Sequence, residues 1–226
     1  MSNTEQSKTA SQKVNSFLQK NKKGLIIFVI VVLVLLAGFY CYQVFSAKQT
    51  ESNLSKIDAI SYKLITDTKD MTEGTELNGL LDTALTDLAE YTKKSGAAGV
   101  RANMISAEIA YQKNDYAAAA SYWDSAAAKG KKAYTTALCE YNKAVCYEQA
   151  NDYSKAADSY KAASETAGFL MATHAAFNYG RVLEHNGSYA EAVAVYEDLN
   201  SKHPSDDWAK LAKSRILSLK AEGKAE

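Results

Sequence analysis

Proline is almost missing from this chain: one in 226 residues, Pro204. An interior proline removes a helix hydrogen bond and clashes with the preceding turn, so its scarcity leaves nearly the whole chain free to be helical. Cysteine is scarce too, with Cys41, Cys139 and Cys146 and no CxxC pair. On one helix, Cys139 and Cys146 would stand about 10.5 Å apart along the axis, out of disulfide reach. Three scattered thiols are too few for a zinc site, and these read as buried small apolar side chains. There is no net charge overall, 26 basic against 26 acidic groups, and the part beyond residue 23 is mildly acidic, which argues against nucleic acid. No glycine-rich phosphate loop, nucleophile elbow or pair of catalytic carboxylates is present. His174, His185 and His203 lack carboxylates at metal-ligand spacing. These absences predict a protein without catalytic residues, metal or cofactor. No alternating strand pattern runs beyond a few residues, which predicts an all-α fold.

What the chain does have is an uncharged stretch over residues 24–45, GLIIFVIVVLVLLAGFYCYQVF. As a helix it would be roughly 33 Å long, enough for a hydrocarbon core of about 30 Å. A cleaved signal peptide is the competing expectation. Its apolar core is shorter, about 7–15 residues, and ends at a small-x-small site. Here Phe45 occupies the place of a small residue before Ala47, and Leu36-Ala37-Gly38 is followed by Phe39, not by a lipoprotein cysteine. A retained anchor is therefore expected. Residues 1–23 carry five Lys and one Glu, a net of +4 that leaves −4 for the rest. By the positive-inside rule this basic tail stays cytoplasmic and the remainder is exported, which predicts a single-pass membrane protein with its N-terminus inside. Residues 1–12 have no apolar period and read as disordered. Val14, Phe17 and Leu18 share one helical face, either as a helix on the inner leaflet or as an extension of the anchor helix.

The exported part repeats itself. AYQKNDYAAAASYWDSAA, CYEQANDYSKAADSYKAA and VLEHNGSYAEAVAVYEDL align without gaps and superpose Tyr116, Tyr153 and Tyr189 at offsets of 37 and 36 residues. The same alignment stacks Ala119, Ala156 and Ala192, then Trp123, Tyr160 and Tyr196. This resembles the tetratricopeptide repeat family, whose period is about 34. The third unit carries the likeness best, with Gly180, Gly187, Tyr189, Ala192, Tyr196 and Pro204. Ala107 and Ala144 stand for the small residue of the first helix, and Asn114 and Asn151 for the turn glycine.

The expected layout is a basic tail (1–23), a transmembrane helix (24–45), a helical stalk and break (46–75), the array (76–204) and a capping helix (205–220). Within the array the units fall at 76–95 (partial), 98–129, 135–167 and 171–203. Thr75 and Ser205 are expected to cap the helices that follow them, and Asp115, Asp152 and Ser188 to start the second helices.

In the family, first helices line a concave binding face. Superposing the units places Met104, Tyr141 and Phe177 in one column, Tyr111, Glu148 and Glu184 in a second, and Glu108, Val145 and Arg181 in a third. The resemblance implies a partner groove at Met104, Tyr111, Tyr141, Val145, Phe177 and Arg181. Either a partner fills it, or the C-terminal helix or stalk does. A chaperone-type carboxylate clamp is not expected, because only Asn142 matches that pattern while Met104, Glu108, His174 and Asn178 do not.

In layout the chain is similar to the YfgM-like inner-membrane proteins, ancillary to the SecYEG translocon. That implies a bacterial inner-membrane location with the repeats periplasmic, and protein partners: translocon subunits, a chaperone or a client polypeptide. Two other readings stay open: an envelope-assembly or cell-division scaffold, and a mitochondrial import-receptor-like protein.

Overall fold

The helices expected from the repeat spacing are all present in a computed structural model, which describes residues 12–130 and 132–225. The expectation of disorder over 1–12 falls, apart from its last residue, outside the described residues. Residues 12–20 form a helix, α1, so that part of the basic tail is ordered. After a turn at Asn21 comes α2, Lys22–Thr68, 47 residues long. Then follow α3 (Thr75–Thr92), α4 (Gly96–Gln112), α5 (Tyr116–Lys129), α6 (Ala133–Gln149), α7 (Tyr153–Ser164), α8 (Ala172–His185), α9 (Tyr189–Lys202) and α10 (Asp207–Ala221). Every described element is helical. The chain divides after Thr50 into two units.

The first unit holds the apolar run. One helix of the described residues, α2, is long and apolar enough to cross a membrane, and none of its apolar window is buried inside the protein. Ile27, Phe28, Val34, Leu35, Phe39 and Phe45 are all more than 60% exposed. A core helix of a water-soluble domain would bury such side chains, because each gains about 1.5–3 kcal/mol by leaving water.

The second unit, Glu51–Glu226, stacks helical hairpins α4/α5, α6/α7 and α8/α9, with α10 packed on α9 and α8. The part of α2 from Glu51 onward contributes Leu54, Ile57, Ile60 and Leu64 to a core with Leu77, Leu81 and Leu88 of α3 and Ala102, Ile105 and Ile109 of α4. Ile57 is wholly buried. The expected stalk is thus, over this stretch, a helix packed on α3 and α4. Its apolar positions recur at three- and four-residue spacing because they meet α3 and α4.

The hairpin turns share one mechanism. Asn114 (φ 61°), Asn151 (φ 59°) and Gly187 (φ 79°) take the left-handed conformation that ends a helix. The next amide reaches back five residues: Asp115 N to Ala110 O at 2.9 Å, Asp152 N to Tyr147 O at 2.8 Å, Ser188 N to Leu183 O at 2.9 Å. That same residue starts the second helix. Asp115 accepts from the Ala118 amide and Asp152 from the Lys155 amide, whereas Ser188 makes no side-chain cap. Two expected caps are corrected. Gly74, not Thr75, precedes α3, and Thr75 is its first helical residue. Asp206, not Ser205, caps α10, accepting from the Trp208 amide at 2.8 Å. Asp bonds a free amide with charge assistance, which a serine hydroxyl lacks.

The stacked column of large aromatics lies where the repeat requires. Trp123, Tyr160 and Tyr196 are 5%, 1% and 0% exposed. Gly180 passes so near Tyr196 that a Cβ would stand 2.4 Å from its ring. A side chain there would have no room, which is why this position of the first helix is small.

Candidate functional site

The first-helix face carries two polar clusters at its C-terminal end. The Glu148 carboxylate of α6 accepts both guanidinium nitrogens of Arg181 from α8, at 2.5 and 2.7 Å, and the Tyr160 hydroxyl of α7 at 3.1 Å. One repeat later the motif recurs. Glu184 accepts the Tyr196 hydroxyl at 2.6 Å and both Nε and Nη2 of Arg215 from α10. Glu148 thus ties α7 to the next hairpin, and Glu184 ties α9 to α10. Burial would raise the Glu148 carboxyl, but the Arg181 hydrogen bonds and charge, with the Tyr160 hydroxyl, hold it below the usual carboxylate range. Glu184 is likewise held low against burial by Arg215 and Tyr196. The first interface lacks the ladder, because Tyr111 and Val145 occupy the glutamate and arginine positions. There Tyr111 packs edge-on to Tyr116 at 5.3 Å.

The expected column divides. Phe177 is 6% exposed, with Trp208 of α10 at 5.4 Å and Tyr196 at 5.6 Å between ring centroids. It is core here, so a partner meets it only if α10 leaves. Tyr141 is half-buried. Its hydroxyl meets His174 Nδ1 at 3.1 Å and accepts from the Asn178 amide at 3.1 Å. The Asn178 oxygen in turn accepts from Arg181 Nε at 3.2 Å. His174 stacks on Trp208 at 3.8 Å. The structure therefore brings Tyr141, Phe177 and Arg181 together as one block sealed by α10, with Val145 packed beside it.

Met104 stands apart. It lines a cleft of about 700 Å³ with Leu54, Ala97 and Val100 as apolar wall and Arg101, Lys129, Lys132 and Thr135 at its polar margin. Arg101 pairs with Asp58 at 3.2 Å, on the surface. A cleft of this size with an apolar floor and few polar groups suits a side chain or two of a polypeptide.

Covalent chemistry has no foothold at the cysteines of the array. Burial pushes the Cys139 thiol up to about 12 and the Cys146 thiol up to about 11, so both stay protonated and inert.

His174 supplies a pH dependence. Burial, then the Arg181 charge, depress its pKa below the usual value. As pH falls, the unfolded chain takes this proton first. The stability held by neutral His174 is complete above about pH 6.5 and is lost as pH falls below it. The melting temperature should drop between about pH 7 and pH 5.5, and His174→Phe should flatten that drop. An equal drop in wild type and variant would refute the assignment.

That the C-terminal helix covers the groove is one of the expectations above, but pairing of Glu148 and Glu184 with Arg181 and Arg215 escaped the sequence reading. A signal existed: the glutamates recur 36 residues apart and the arginines 34 apart.

Comparison with known proteins agrees with this geometry. The tetratricopeptide repeat family model matches residues 78–136 and 141–207. A TPR repeat-containing protein of Treponema pallidum (strain Nichols) is 27% identical over 130 residues, which cover 58% of this chain and 54% of that protein. The chain thus spans about half the length of this curated relative. The family match covers more than half of the 226 residues, from α3 to the cap of α10. With its three stacked hairpins, left-handed turns and recurring buried aromatic, the chain belongs to the tetratricopeptide repeat family.

Proposed function

We propose that this protein is a membrane-anchored scaffold that holds polypeptide partners on the exported side of a bacterial inner membrane. The observation that carries the reading is one chain joining a repeat array to an apolar helix that the protein itself leaves uncovered. Residues 24–45 serve as the retained anchor, with the Lys-rich tail inside. The array works by protein–protein contact and not by catalysis. The Met104 cleft is its open docking point, while Tyr111, Tyr141, Val145 and Arg181 mainly brace the stack. The likeness in layout to YfgM-like proteins favours the Sec translocon and periplasmic chaperones as partners. An envelope-assembly or cell-division scaffold is the second reading, and the generic repeat motifs suit it equally.

A photoreactive residue at Met104 in intact cells tests both. Adducts with translocon subunits or chaperones, absent from the same probe at exposed Asn186, are expected. Adducts with cell-wall or outer-membrane enzymes would favour the second reading. Protease added to the outer face of opened cells should remove the array and leave a short membrane fragment. A soluble mature protein beginning near Lys48 would overturn the anchor.

A further inference from the structure

Four lysines on one edge of the array have no acidic counterpart. Lys93 and Lys94 lie between α3 and α4, Lys129 ends α5, and Lys132 precedes α6. The two loops come together, since Ser95, Gly96, Lys129, Gly130 and Lys132 line one cleft. The sequence there is depleted of acid: residues 91–100 and 125–139 contain no Asp or Glu, although the chain beyond residue 23 carries a net of −4. None of the ion pairs among the described residues takes up these lysines. Elsewhere in the array Lys113, Lys143, Lys155, Lys202 and Lys210 are paired, and the described lysines without an ion pair, Lys161, Lys213 and Lys220, are spread singly along α7 and α10. Later loops on the same edge lose the pattern, with Glu165 in one and Asp206 and Asp207 in the other. Positive charge is thus concentrated at the start of the array and left unneutralised by the protein.

Leu54 lies in that same cleft. It follows the last residue of the apolar run, Phe45, by nine positions. Whatever the conformation between them, nine residues reach at most about 30 Å. If residues 24–45 span a bilayer, a tether this short lets the basic edge reach the headgroups, and a charge within about 8 Å of them feels their field at physiological salt. A tether of that length also makes the contact intramolecular, so weak attraction suffices.

We propose that Lys93, Lys94, Lys129 and Lys132 dock the array onto anionic headgroups of the bilayer that holds its own anchor. This rests on the anchor reading above and adds to it a lipid-dependent posture of the array. Ammonium groups suit the task, because they bind phosphate as point charges without fixed geometry. Each lysine at an anionic surface contributes enough that its loss should lower the docked-to-free ratio about fivefold.

The test uses the full chain in lipid nanodiscs. A dye is placed at Ser95→Cys, or at Asn186→Cys in the turn of the α8/α9 hairpin, on the opposite edge, both in a Cys41→Ser background. Energy transfer to a headgroup acceptor is compared in zwitterionic discs and in discs containing phosphatidylglycerol. Transfer from position 95 should rise with the anionic lipid, that from 186 should not, and added salt should reverse the rise. Replacing Lys93, Lys94, Lys129 and Lys132 by Gln should abolish it, with an unchanged helical melt showing that the array is intact. Transfer indifferent to lipid charge and salt overturns the proposal, which needs no variant to be seen. A rise that survives the four replacements overturns it too. A chain that fails to enter discs at all sinks the anchor reading itself, and is told apart by its absence from the disc fraction.

Discussion

Replacing Tyr196 by Ala is expected to lower the stability of the array by about 3–5 kcal/mol, the range for deleting a buried large aromatic. Tyr196 is fully buried, and its ring fills the space that Gly180 leaves open. Its hydroxyl also donates to Glu184, which then holds Arg215 of α10. Truncation removes packing and leaves the acceptor of a buried network one donor short, so the two losses add. Denaturant unfolding of the purified chain measures this. Tyr196→Phe separates the parts, because it keeps the ring and should lose only about 1–2 kcal/mol. A change below about 1 kcal/mol for Tyr196→Ala would mean that the repeat register is misplaced. Tyr160→Ala should behave alike, since Tyr160 bears the same relation to Glu148 and Arg181.

The repeat was readable because it is written in local spacing. Tyr116, Tyr153 and Tyr189 mark equivalent turns, and Asn114, Asn151 and Gly187 are residues that accept left-handed backbone at small cost. The apolar run over 24–45 was equally plain, since length and lack of charge define it. What the sequence hid were contacts between repeats. Glu148 meets Arg181 from 33 residues away and Glu184 meets Arg215 from 31, and no helical period brings such pairs to notice. The packing of residues 51–68 was missed for a different reason. From Glu51 onward α2 continues a helix that starts in the apolar run, so its Leu54, Ile57 and Leu64 looked like an extension of that helix. Only the shared core with α3 and α4 reveals them as a packing face. The groove was half legible. Superposition put Met104, Tyr141 and Phe177 in one column, but superposition is blind to what covers a column. Trp208 belongs to a helix outside the repeat, and it seats on Phe177 and on His174, which bonds Tyr141.

That division yields the second large effect. Tyr141→Ala combined with Phe177→Ala should destabilise the array by more than about 4 kcal/mol, the sum expected for one buried and one half-buried ring. Phe177 contacts Tyr196 and Trp208, while Tyr141 packs edge-on to Tyr160 at 5.4 Å and bonds His174 and Asn178. The pair therefore holds both α10 and the α6/α7 hairpin. Met104→Ala is the contrast, because its side chain is only partly buried against the Trp123 core and also lines the open cleft. It should cost roughly 1 kcal/mol or less and yet weaken capture of whatever partner crosslinks there. Thermal melts of the two variants beside wild type, with crosslinking yield from a probe at Val100, read both quantities. If the double variant melts like wild type, Tyr141 and Phe177 are not core, and α10 must leave the face readily enough for a partner to replace it. If Met104→Ala lowers the melt as much as the double variant does, the cleft is part of the core and the docking point lies elsewhere on the array.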